Sequence, residues 1–176
     1  MAKKSLTIDL KMNWLFYEVK NKTYLTGRSR MQGDNHEQVA NMQSSDDEED
    51  QSQIMRSISS AVAYLHTRLS EYISNTIGEM PLTDNDILKL YTDNGSFTLT
   101  LNNIPANFNT AVKESITASA HNYIVNRAVG EWFQITNKAD AQDYFQAAAI
   151  NLAEIREAIN KRVRPQRPVI DNNNVI

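Results

Sequence analysis

Between positions 108 and 163 the chain carries two apolar stripes on one predicted helix and a further stripe on its return partner, a pattern few folds accommodate. Apolar residues recur at Phe108, Val112, Ile116, Ala120, Tyr123 and Ile124, Ala128, Trp132 and Ile135. Steps of three and four place them on one helix face. A second stripe runs through Ala111, Ala118, Val125, Val129 and Phe133. A helix apolar on two sides must be covered on two sides, which predicts a central position in a bundle. The break falls at Thr136-Asn137-Lys138, where Asn137 or Thr136 can cap the next helix and Asp140 meets its dipole favourably. The return helix reads Ala141, Tyr144 and Phe145, Ala148, Leu152, Ile155, Ile159 and Val163, with Asp143, Gln146, Glu154, Glu157 and Lys161 opposite. So short a turn forces antiparallel packing, and the second face needs a cover from elsewhere in the chain.

The remaining segments supply candidates. Leu6, Ile8 and Leu10 alternate with polar residues as a short strand does, and the apolar run from Trp14 to Val19 predicts a helix stopped near Gly27, with Arg28 and Arg30 at its end. Residues 32–51 read as a solvated loop: Gly33-Asp34-Asn35-His36 is turn-like, and the acidic block Asp46-Asp47-Glu48-Glu49-Asp50 suits a helix N-terminus. The spacing fails the calcium-loop template. A long helix is predicted over 51–77, striped by Ile54, Ile58, Val62, Leu65, Leu69, Ile73 and Ile77 and closed by Gly78 and Pro81. The period then switches to two. Ile87, Leu88 and Leu90, the turn Asp93-Asn94-Gly95, and Phe97, Leu99 and Leu101 predict a β-hairpin over 87–101, with Asn107 capping the helix that follows. The expected fold is mainly α: an antiparallel bundle of three to four helices over residues 1–163, a small β-hairpin, and an extended C-terminal arm over 164–176 broken by Pro165 and Pro168.

No catalytic constellation emerges. The chain has no cysteine, which excludes disulfides, thiolate metal sites and thiol catalysis. His36, His66 and His121 lie far apart without ligand-spaced partners, and Asp84 and Asp86 sit in turn-rich sequence where capping accounts for them. Nucleophile elbows, phosphate-cradling loops and dinucleotide fingerprints are missing from the sequence. The expectation is therefore a protein without enzymatic activity, cofactor or metal. A net charge of −3 argues against a general polyanion binder, and no apolar run is long enough to span a membrane. The first residues form no signal-peptide core, so synthesis in the cytoplasm is expected. The basic run Lys161, Arg162, Arg164 and Arg167 suits the acidic surface of a protein partner better than phosphates, because arginine reads carboxylates bidentately.

Several packing motifs follow one another in the second half: Phe97-Thr98-Leu99-Thr100-Leu101, Asn107-Phe108-Asn109, the run from Tyr123 to Phe133, Ala139-Asp140-Ala141-Gln142-Asp143-Tyr144, Ile155-Arg156, and Arg164-Pro165-Gln166-Arg167-Pro168. In these the chain resembles the head–tail connector proteins (neck rings, or adaptors) of tailed bacteriophages, particularly crAss-like and related phages of gut Bacteroidales. The resemblance implies a structural virion protein of the neck: a cyclic homo-oligomer, commonly a dodecamer, placed beneath the portal. It implies extended termini reaching neighbouring subunits, contacts with the portal protein and adjoining neck or tail proteins, and a channel through which DNA passes without sequence-specific contact. Contacts between subunits are expected from Arg156, Lys161, Arg162, Arg164, Pro165, Arg167, Pro168, Val169 and Ile170 on a basic side, and from Asp46, Asp47, Glu48 and Glu49 on an acidic side. The alternative on sequence grounds is a cytoplasmic helical protein-binding module or regulator.

Overall fold

A computed structural model describes residues 3–73 and 95–165. Strand β1 (Lys3–Lys11) leads directly into helix α1 (Met12–Ser29). A short helix α2 (His36–Met42) precedes α3 (Glu48–Arg68), which ends in a single 3-10 turn. Strand β2 (Ser96–Pro105) precedes the helical hairpin of α4 (Lys113–Thr136) and α5 (Lys138–Ile159). The protein is mainly helical, with a two-stranded antiparallel sheet.

Helix α4 occupies the centre that its two stripes demand. It packs against α5, α3, α1 and α2. Ile116, Ala120, Ile124 and Ala128 are fully buried on one stripe, and Val125, Val129 and Phe133 on the other. The second stripe is covered only from Val125 onward, since Ala111 and Ala118 are exposed; at the far end of the first, Ile135 is exposed too. The cover expected from the 51–77 region is α3, antiparallel to α4. Asn137 caps α5 as anticipated, its side chain accepting from the Ala139 N–H at 3.2 Å. At the α4–α5 crossing a Cβ on Gly130 would lie 2.9 Å from the Phe145 ring, so this glycine permits the close approach.

Strand β2 has the alternation read from Phe97, Leu99 and Leu101; beyond it a register shift between Lys4 and Leu6 breaks the period and brings Ile104 to the buried face. Its antiparallel partner is β1, which pairs Leu6 with Leu101, Ile8 with Leu99 and Leu10 with Phe97. All six side chains are buried, while Thr98 donates to Asp9 on the open face at 2.7 Å. Residues 87–94, the first half of the expected hairpin, lie outside the described residues. A cross-strand ladder of this kind is worth little alone and is held by burying one face on the helices.

Four boundaries differ from the sequence reading, each for a tertiary reason. Gly27 does not stop α1; it lies inside the helix, where a Cβ would meet Gln43 Cγ at 2.8 Å. The 32–51 stretch contains α2, seated by buried Val39 and Met42. Helix α3 ends at Arg68 instead of continuing toward 77; Arg156 of α5 donates to the freed Arg68 carbonyl at 2.9 Å, and the chain turns under β2, where Asn103 donates to the Glu71 carbonyl. Residues 74–77, Gly78 and Pro81 lie outside the described residues. Finally, α5 ends at Ile159, because Asn109 N–H donates to the Lys161 carbonyl and Val163 N–H to that of Asn107. Asn107 is thus committed to this bridge through its backbone. The α4 N-terminus at Val112 has no side-chain cap; Asn109 instead caps the 3-10 turn Thr110–Val112 that leads into it, its side chain accepting from the Ala111 N–H at 3.0 Å.

Candidate interaction surfaces

The buried polar groups tie helices together. Lys22 of α1 donates to Asn126 of α4 at 2.7 Å, Asn126 donates to Asn151 of α5 at 2.9 Å, and Ser119 donates to Glu154 at 3.0 Å. Burial pushes the Lys22 ammonium below its usual range, with Glu18 opposing. On the other side of α4, the Arg127 guanidinium lies 3.7 Å from the Tyr64 ring centroid of α3 and 5.8 Å from that of Phe145 of α5. Glu131 sits 3.6 Å from Arg127 and accepts from Ser60 at 3.2 Å.

Burial pushes the Glu131 carboxyl above its usual range, and Arg127 and Ser60 pull it back only in part. A carboxyl with a raised folded pKa binds its proton more tightly in the native state than in the unfolded chain. Its contribution is therefore fully present below the unfolded value of 4.5 and lost as pH rises through the higher folded value. Accordingly, the wild type should lose stability relative to Glu131→Gln as pH rises above 4.5. Urea midpoints of both proteins across that range check this, and parallel curves would contradict it.

His36 opens α2, His66 stacks near Phe97 at 5.2 Å between ring centroids, and His121 lies 3.2 Å from Glu18. Burial lowers the His66 pKa. Among the described residues no three histidine or carboxylate groups gather as a metal site would need.

The sequence-predicted contact residues form two charged poles. Asp47, Glu48 and Glu49 crown the N-terminus of α3, where Ser45 donates to both Asp47 and Asp50. Asp46 pairs with Lys20 of α1. Arg156, Lys161, Arg162, Arg164 and Pro165 are exposed at the opposite end, beside the C-terminus of α3. Lys161 pairs with Glu157 at 2.7 Å, and Arg162 donates to the Ile159 carbonyl at 2.8 Å. Arg167, Pro168, Val169 and Ile170 lie outside the described residues. The 21 residues of α3 hold the poles about 30 Å apart. One chain cannot pair them internally; two copies can do so end to end or side by side in opposite orientation.

The surface that the sequence reading missed is on α1. The apolar run 14–19 divides in two: Leu15 and Val19 are fully buried with Met12, while Trp14 and Tyr17 are 57% and 60% exposed. Tyr24 and Leu25 continue the outer face, about half exposed. Trp14 and Tyr17 meet edge to face at 6.3 Å. From Asn13 to Leu25 the exposed residues are Asn13, Trp14, Tyr17, Asn21, Tyr24 and Leu25, none charged; Glu18 beside them keeps its side chain 39% exposed and is turned to His121 at 3.2 Å. The available signal was the spacing 14, 17, 21, 24, one helix face with its own aromatic character. No protein-family model, curated protein or solved structure matches this chain.

Proposed function

We propose that this chain is a structural virion protein that assembles as a ring connecting portal to tail, with DNA passing through the channel. The observation that carries the reading is the aromatic face of α1. It has the composition of an interface core, rich in tyrosine and tryptophan, with the neighbouring Glu18 turned to His121 of its own chain. The resemblance to phage head–tail connectors supports the setting. In this reading the acidic and basic poles meet neighbours above and below the ring, and the body of the bundle meets its own copies.

Native mass measurement of the full chain, alone and with the portal protein of the same phage, tests the proposal. The expected result is a closed oligomer or its portal-dependent appearance. A monomer indifferent to the portal at every concentration overturns it in favour of a helical binding module.

A further inference from the structure

The ring reading leaves open which surfaces join the copies, and the geometry points to a specific pair. We infer that the aromatic face of α1 of one copy packs on the outer face of α5 of the next, around Ala149, Ile150 and Ala153. This inference rests on the ring proposed above.

The area argues first for a large protein partner. Trp14, Tyr17, Tyr24 and Leu25, each roughly half exposed, together leave about 400 Å² of side chain in water. That is already about half of what one side of a stable interface buries, before any flanking atoms are counted. It is also as large as the largest apolar patch of an ordinary monomer.

The second argument is complementarity between two faces of the same chain. The outer face of α5 is uncharged over its middle, through Gln142, Gln146, Ala149, Ile150 and Ala153. Ile150 is 54% exposed. One face is a ridge of rings, and on the other Ala149 and Ala153 leave a low step beside Gln146 and Ile150 into which a ring can fit, as ridge into groove. Two different faces joining copies make a heterologous contact, and that is the kind of contact that closes into rings.

The third argument is height. Within one chain Thr26 of α1 and Tyr144 of α5 share a hydrogen bond at 2.6 Å, and Arg30 pairs with Asp140. These contacts fix the two helices' relative level. Helix α1 descends as α5 ascends, at about 1.5 Å per residue. Tyr17, nine positions before Thr26, is therefore level with Ala153, nine after Tyr144. Copies related by a rotation axis running along the bundle keep that level. Trp14 then meets Arg156, a cation over an indole, and Arg28 arrives beside Gln142 and Asp143. One end thus sets a cation over a ring, the other sets Arg28 beside Asp143, and the exposed Tyr17 and Ala153 coincide between them.

The chain has no cysteine, so introduced thiols report without background. Tyr17→Cys and Ala153→Cys are made separately in the full chain and treated with a short bis-maleimide. Both positions are exposed, and circular dichroism checks that both variants fold. The expected result is that neither variant cross-links alone, that an equimolar mixture gives a mixed dimer, and that the double variant gives a ladder. Tyr17→Glu, which places a charge in the middle of the contact, should weaken self-association roughly 30-fold. Cross-linking of Tyr17→Cys with itself would mean that α1 faces α1, and overturns the inference. So does a mixture that yields no mixed dimer while native mass measurement of the wild type shows oligomers; the ring reading survives that outcome. A wild type that stays monomeric with and without the portal brings down the ring reading itself.

Discussion

Phe133→Ala should cost about 3–5 kcal/mol of folding stability, the range for truncating a buried aromatic ring. Phe133 is fully buried on the second stripe of α4, with its ring 5.5 Å from that of Tyr144 on α5. Tyr144 in turn shares a hydrogen bond with Thr26 of α1. Phe133 thus packs on a Tyr144 that α1 also holds, so α5 cannot move into the vacated space without straining its contact with α1. A domain of this size has only about 5–15 kcal/mol in total, so the variant keeps a small margin or none. Chemical denaturation followed by circular dichroism should show a lower midpoint with an unchanged slope. Phe133→Leu keeps most of the volume and should cost under about 1.5 kcal/mol. Equal costs for the two substitutions would mean that the ring is not packed as described.

Period and capping explain why the α4–α5 hairpin was readable. Its stripes are long, its turn is short, and the two candidate caps, Thr136 and Asn137, are adjacent, with Asn137 taking the role. The strand at 96–101 was legible for the same kind of reason: Phe97, Leu99 and Leu101 face one way. The strand at Leu6, Ile8 and Leu10 was legible too, but its pairing with Ser96–Pro105 was not, because it joins segments some ninety residues apart and leaves no local mark. Helix ends were misread wherever a distant group decides them. Arg156 satisfies the end of α3 from α5, and the backbone of 107–109 takes residues 161–163 out of the last helix. Asp46, Asp47, Glu48 and Glu49 are exposed in the stretch read as solvated, but the separation of the described charges into two poles needed the direction of α3. The aromatic face of α1 was hidden by its own richness. Trp14, Leu15, Phe16 and Tyr17 read together as one apolar block, and only the packing of Leu15 and Val19 inward shows which side is left over.

Helix α2 gives the sharpest case of structure that sequence period could not announce, and it yields the second large effect. Seven residues carry too little pattern to be recognised, and so short a helix is unstable in isolation. What holds it is Trp132 of α4, which is 5% exposed and donates its indole N–H to the Met42 carbonyl at 2.9 Å. Met42 itself is buried, and Asn137 approaches its sulfur at 3.5 Å. Trp132→Ala is therefore expected to cost about 3–5 kcal/mol, like other large truncations in a core. Unlike Phe133→Ala, it should also release α2 selectively, since the lost contacts are those that seat it. Hydrogen exchange should show protection lost first over His36–Met42, while the middle of α4 retains its ranking. Trp132→Phe separates the two contributions: the ring still fills space, but the buried Met42 carbonyl loses its donor, at about 1–3 kcal/mol. If α2 exchanges no faster in either variant, the indole is not its anchor. The acidic block would then owe its position to α3 and the Lys20–Asp46 pair alone.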